Sequence, residues 1–209
     1  MARETIKYDD GNYTGDVVSG IPHGKGKITY VDGFILFYEG DFVSGEKTGK
    51  GKMITKNGII YEGDHVNGRW HGKGKITGPD GGEYLGDFDK DHMHGNGKLT
   101  YKDGNIFEGV FDNDKMIKGK LTYTNGNFYE GDFFDGSPHG KGKKTDTDGI
   151  TYVGDFVEGI YHGKGILTFK NGDFYDGDFA NGTFHGKGKI KCPDGVVREG
   201  IFNNGELVS

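Results

Sequence analysis

The sequence predicts an all-β protein: an elongated, twisted single antiparallel sheet built as one long β-meander. Three observations predict it. An aromatic-x-Gly pattern returns every 22 to 25 residues between Tyr13 and Tyr175. An Asp-Gly or Asn-Gly pair closes every repeat, from Asp32-Gly33 to Asp194-Gly195. Glycine accounts for 42 of 209 residues while hydrophobic residues reach only 32%, which suits a thin, glycine-rich sheet better than a thick two-layer core.

The elements follow in chain order. Residues 1–12 hold a half-repeat, since Thr5-Ile6-Lys7-Tyr8-Asp9-Asp10-Gly11 matches Lys27-Ile28-Thr29-Tyr30-Val31-Asp32-Gly33. Full repeats then start at Tyr13, Tyr38, Tyr61, Tyr84, Phe107, Tyr129, Tyr152 and Tyr175. A terminal half-repeat occupies 198–209, with Arg198 in the aromatic place before Gly200. Two strands per ~23-residue repeat give about 18 strands in a single array over 1–209.

Within a repeat, Tyr129, Gly131 and Phe133 point one way while Glu130 and Asp132 point the other. Alternation at period two marks a strand with one packed face. Asp135-Gly136 turns the chain, and Gly140-Lys141-Gly142-Lys143 opens the second strand. Asn-Gly and Asp-Gly tolerate the positive φ that hairpin turns require. Short loops between strands force antiparallel neighbours. Four places break the pattern: Thr48 for histidine, the apolar Phe34-Ile35-Leu36-Phe37 with two extra residues, Lys90-Asp91 at a turn, and a fifth repeat one residue short. A bulge or bend is expected at these places.

Composition bounds the function. Among the 209 residues no apolar run is long enough to span a bilayer as a helix. The start, MARETIKYDD, lacks a secretory apolar stretch, and the lone Cys192 has no internal disulfide partner; together they lead us to expect a reducing, cytoplasmic setting. A net charge of −6 argues against nucleic acid.

The segment HGKG looks like chemistry, but it recurs at 23–26, 71–74, 139–142, 162–165 and 185–188, with HGNG at 94–97. A catalytic loop is not needed six times; a turn in a repeat is. No window matches the phosphate loop G-x-x-x-x-G-K-[ST], and no G-x-S-x-G elbow exists. Equivalent histidines stand two strands apart, about 9.6 Å, too far to share an ion easily. We expect the histidines to pack at the hairpin bend and bond loop backbone. The reading is therefore non-enzymatic, with no cofactor and no metal. Acids at Glu39, Asp41, Glu62 and Asp64 face lysines such as Lys25, Lys27, Lys73 and Lys75 across strands, an ion-paired solvated face.

The pattern Y-E-G-D-F-x-x-G-x-x-H-G-x-G-x-x-x-x-x-x-G, carried by the repeats at Tyr129, Tyr152 and Tyr175, resembles the MORN repeat (membrane occupation and recognition nexus). The resemblance covers nearly the whole chain. It implies a twisted sheet of hairpins and a scaffold that binds proteins, in cytoskeletal or ciliary assembly. The alternative it implies is a peripheral membrane module that binds phospholipid. No appended catalytic domain accompanies the repeats.

Two partner surfaces are expected. The glycine columns should leave a trough walled by Tyr38, Phe42, Tyr61, Tyr84, Phe88, Phe107, Phe111, Tyr129, Phe133, Tyr152, Phe156, Tyr175 and Phe179, in which a helix or extended peptide could lie. The residues before the motif histidines, above all Trp70, Met93, Tyr161 and Phe184, should line one edge, either binding a partner or sealing the thin core. Open strands at the two ends admit homo-oligomer formation.

Overall fold

The computed structural model describes residues 2–209. Its regular structure is entirely strand, nineteen strands in one antiparallel sheet with no helix among the described residues. Backbone packing divides the chain into two compact units. The first runs up to Lys102 and includes Phe111–Asp114. It holds β1 (Ala2–Tyr8), β2 (Gly11–Val18), β3 (Ile21–Tyr30), β4 (Ile35–Val43), β5 (Glu46–Thr55), β6 (Ile60–Val66), β7 (Arg69–Thr77), β8 (Glu83–Asp89) and β9 (His92–Thr100). Strand β10 (Ile106–Asp112) contributes residues to both units. The second unit continues with β11 (Lys115–Thr122), β12 (Phe128–Phe134), β13 (Ser137–Thr145), β14 (Thr151–Val157), β15 (Ile160–Thr168), β16 (Phe174–Ala180), β17 (Thr183–Lys191), β18 (Val197–Asn203) and β19 (Glu206–Leu207). The nineteenth strand, one more than expected, forms because Leu207 and Glu206 of the terminal half-repeat pair with Phe202 and Asn203.

The two ends of each hairpin turn by different means. Between the first and second strand of a repeat, two successive residues have positive φ, as at Asp135 (48°) and Gly136 (80°). Two left-handed residues make a type I′ turn, whose twist matches that of the strands. Lys90 and Asp91 adopt it at 49° and 76°, and Asn113 and Asp114 at 46° and 68°. The bend expected at Lys90-Asp91 is therefore absent; the turn is kept by residues that prefer other backbone angles. At the closing loops only the glycine is left-handed. There the Gly126 amide donates to the Tyr123 carbonyl, and the Asn127 amide donates to the Asn125 side chain. That is a tight turn followed by a left-handed glycine, with the Asn side chain fixing the loop.

The HGKG motif resolves into a bulge. Its first glycine has positive φ, for example Gly163 at 53°, and the pairing register shifts between Gly154 and Asp155 on the facing strand. The Asp155 carboxylate then accepts the Lys164 amide at 3.0 Å. The same bond recurs from Lys50 to Asp41 and from Lys187 to Asp178. Two extra residues in the second strand, Gly163 and Lys164, leave an amide unpaired, and the aspartate supplies its acceptor. The fifth repeat is short by one residue: Val110 replaces the aspartate, and the first glycine is gone, though Gly109 still faces Gly119. At the long connection Phe34–Phe37 the expected bulge is present, since Ile35 pairs with Thr55 and Phe37 with Ile54, leaving Leu36 extruded.

Candidate partner-binding face

The second motif glycine explains the aromatic columns. Gly15 faces Gly26 across the strands, and the Tyr13 ring lies flat over the pair. A Cβ on Gly26 would stand 2.3 Å from that ring, so no side chain larger than hydrogen fits. Gly40 and Gly51 lie under Tyr38, and Gly154 and Gly165 under Tyr152, in the same way. Each tyrosine hydroxyl reaches past its glycine to donate to the carbonyl of the bulge aspartate, at 2.7 Å for Tyr61 to Asp64 and 2.9 Å for Tyr152 to Asp155. Burial, first of all, and the nearby aspartate push these phenols up, to about 12 for Tyr84 and Tyr129.

The expected trough is therefore filled by the side chains thought to wall it. Tyr38, Tyr61, Phe107, Tyr152 and Tyr175 are 0% exposed; Tyr84, Phe111, Tyr129 and Phe156 are nearly so; Phe42, Phe88 and Phe179 stand at 3% and Phe133 at 6%. Their rings meet edge to face along the sheet, as in Tyr13–Phe42 at 5.0 Å and Tyr152–Phe179 at 4.9 Å, the arrangement that ring quadrupoles favour. These residues form a one-ring-thick core.

The edge residues sit on top of that core. Trp70 stacks on Tyr61 with centroids 4.5 Å apart, Tyr161 on Tyr152 at 3.8 Å, and Phe184 on Tyr175 at 3.9 Å. Met93 pairs with Phe88 and holds the same position in its hairpin. All four are half-buried. One ring face of Trp70, Tyr161 and Phe184 covers a tyrosine, which is the sealing of the thin core that the sequence offered as one reading of this edge. Met116 and Lys47, passed over in the sequence, occupy the same row. Comparing the column that follows each type I′ turn by one residue would have found them.

The opposite face is charged. In the first unit Lys25 meets Asp41 at 2.6 Å, Lys50 meets Asp64 at 2.7 Å, and Lys73 meets Asp87 at 2.5 Å. A second row pairs Lys27 with Glu39, Lys52 with Glu62 and Lys75 with Glu83. These lysines line a groove of about 700 Å³, yet each has an acid at hand. Burial is the largest single influence on the Asp64 carboxyl and raises it, but Lys50 and the Lys73 amide together outweigh it and hold the group below its usual range. In the second unit Val153 stands opposite Ile166 where the first unit has an ion pair.

The histidines divide into two kinds. His71 reaches Asp89 at 3.2 Å, His94 reaches Asp112 at 3.4 Å, and His92 reaches Asp114 at 2.6 Å. These rings reach carboxylates of the neighbouring strand or turn, whereas the His23 ring accepts from the Ser44 amide of the next turn, the loop-backbone bond that was expected. The backbone of other motif histidines is used instead: the His162 and His185 carbonyls accept from Tyr152 and Tyr175, each at 3.2 Å. His65 differs from all of them. It replaces the core phenylalanine of its repeat, is 1% exposed, and lies edge-on between Tyr38 and Tyr61. Burial pushes its imidazole down to about 4, so it is neutral. Its Nδ1 bonds the Gly63 carbonyl, while Nε2 has no partner. Among the described residues no three His, Cys, Asp or Glu side chains converge as a metal site requires.

Hairpins of this kind, with the tyrosine over a glycine pair, match the MORN repeat model at 13–34, 38–59, 61–83, 84–106, 129–151, 152–174 and 175–197. The chain belongs to the MORN-repeat family. The stretch from Phe107, one residue short, falls outside the matched repeats. MORN repeats are a non-enzymatic module. No curated protein matches the chain. Among solved structures, the G-box domain of the microcephaly protein CPAP is 13% identical with a TM-score of 0.53, covering 97% of this chain and 100% of that one. The TCP domain of Drosophila melanogaster SAS-4, solved with a proline-rich motif of Ana2, is 15% identical with a TM-score of 0.41, over 94% and 88% of the two chains. At 13% identity the likeness to the CPAP domain is one of fold.

Proposed function

We propose that this MORN array is a protein-binding scaffold of cytoskeletal or ciliary assemblies, and that the outward side of its aromatic face holds the partner. The observation that carries this is the half-exposed apolar side chains at equivalent turn positions, Trp70 and Met93 in the first unit and Tyr161 and Phe184 in the second. Aromatic residues in such positions are the usual anchors of protein interfaces. The charged face supports the membrane reading less well. Anionic lipid rewards unpaired lysines, and the groove lysines of the first unit are ion-paired.

Affinity capture from the native cell, with wild type beside a Met93→Lys/Phe184→Lys variant, tests the proposal. Cytoskeletal or ciliary proteins should be retained by the wild type and lost by the variant, while circular dichroism of the two stays alike. Retention by both would overturn the aromatic face as the site. Sedimentation with phosphatidylserine vesicles in the absence of any protein partner would overturn the scaffold reading.

A further inference from the structure

The outward row carries one charge in the first unit. Lys47 occupies the place over Tyr38 that Trp70 occupies over Tyr61, with its Nζ 5.5 Å from the Tyr38 ring and 5.1 Å from that of Tyr30. Register confirms the equivalence: Lys47 pairs with Phe42 as Trp70 pairs with His65. Among the described residues no carboxylate lies within ion-pair distance of Lys47, whereas Lys25, Lys50 and Lys73 on the charged face each have one. An ammonium held over aromatic rings keeps its charge and points it outward. Such a cation on an apolar face is uncompensated until something brings an acid to it.

The row also sets a ruler. Lys47, Trp70 and Met93 stand in successive hairpins, two strands apart, so their spacing is about 9.6 Å. A β-strand alternates faces and cannot present every third residue to one side, but an extended polyproline II segment has three residues per turn at about 3.1 Å each, so every third residue recurs on one face at about 9.3 Å. A helix recurs at about 10.5 Å over seven residues and drifts by close to 1 Å per repeat. The extended form keeps step.

We infer that Lys47 is the specificity determinant of this face: it selects an extended partner segment whose acidic residue is followed, at the third and sixth positions, by apolar residues resting on Trp70 and Met93. This rests on the aromatic face being the partner surface. Like charges at such a contact repel and opposite charges add modest attraction, so the pairing discriminates among partners more than it adds affinity.

Trp70 is the only tryptophan and stacks in this row, so its emission reports binding. The probes are the synthetic peptides Glu-Ser-Pro-Leu-Ser-Pro-Leu and Lys-Ser-Pro-Leu-Ser-Pro-Leu, each made in both chain directions. Titrated into the full chain, the Glu peptide should bind about five- to ten-fold tighter than the Lys peptide. The variant Lys47→Glu should reverse the order, and Lys47→Met, which keeps the stack, should bind both alike. An unchanged order in folded Lys47→Glu overturns the inference. Equal binding of both peptides by every protein also overturns it, while leaving the aromatic face as a binding surface. No response to either peptide overturns the extended geometry, and the capture comparison then judges the face by itself.

Discussion

The third and seventh repeats build one hairpin from different interiors. In β14–β15, Tyr152 lies over Gly154 and Gly165, Phe156 meets it edge-on at 5.0 Å, and Tyr161 stacks above at 3.8 Å. In β6–β7, Tyr61 lies over Gly63 and Gly74, but His65 takes the edge-on place at 5.0 Å and Trp70 the stack at 4.5 Å. The seventh repeat has Phe156 and Tyr161 in these places, and neither buries a polar atom without a partner. The third buries two nitrogens without partners, Nε2 of His65 and Nε1 of Trp70. Position in the repeat is thus set by ring shape and by glycine, not by ring polarity. The polar rings put a cost on the third repeat that the seventh does not carry.

What the two share should break both most severely. A Cβ on Gly63 would stand 2.5 Å from the Gly74 Cα, and one on Gly154 would stand 2.6 Å from the Gly165 Cα. Backbone faces backbone at both, so neither neighbour can give way. Gly63→Ala and Gly154→Ala should each destabilise by about 3 kcal/mol or more, read as a lowered urea midpoint. Equal tolerance of both would refute the ring-over-glycine core.

The next largest effect separates the repeats. His65→Phe should stabilise by on the order of 1–3 kcal/mol, and Phe156→His should destabilise by a similar amount. The pH dependence sharpens this. The folded-state value of His65, about 4, lies below the ~6.5 of an exposed imidazole. Between those values the unfolded chain binds more protons, so stability falls as pH drops from about 6.5 to 4 and is full above that window. His92, raised by its hydrogen bond to Asp114, has the opposite sign: its contribution is present below the unfolded value and lost as pH rises through the raised one. Thermal melts from pH 7 to 4 should show a steeper loss for wild type than for His65→Phe. Parallel curves would place His65 outside the account.

Much of this was legible in the sequence. The period of the aromatic-x-Gly columns specifies the strands, and the Gly-Gly register follows from their spacing. The flat tyrosine was not legible, because alternation puts Tyr129, Gly131 and Phe133 on one face without saying that the ring lies over the glycine. A trough and a filled trough have the same pattern in one dimension. The bulge was hidden for a related reason: Gly140 and Gly142 look alike in HGKG, yet one is left-handed and the other is extended beneath Tyr129. His65 escaped notice because attention to HGKG groups histidines by motif. Its signal lies in the phenylalanine column, where Phe42 and Phe88 flank it. Lys47 is visible the same way, between Pro22 and Trp70.

Smaller effects test the outer layer. Trp70→Ala and Tyr161→Ala remove half-exposed stacks, and each should cost about 1–2 kcal/mol, less than a fully buried ring. A loss above ~4 kcal/mol in either would make the row purely structural. Smallest is the turn that leads out of β8. Lys90 holds φ 49° where the eighth repeat has Asn181 at 50°. Lys90→Asn should stabilise by roughly 0.5 kcal/mol, since asparagine enters the left-handed region more readily. A fall in the melting temperature would contradict that.

The central claim is that partners meet the outward row and not the charged groove. Methyl NMR of methionine-labelled protein, free and saturated with a captured partner, tests it most directly. Met93 and Met116 lie in the row, while Met53 is buried at 8% exposure between Tyr38 and Tyr61. The account predicts that the Met93 or Met116 methyl shifts while Met53 holds its position. Methyls at Met93 and Met116 that both stay unmoved while the partner saturates the protein would contradict it.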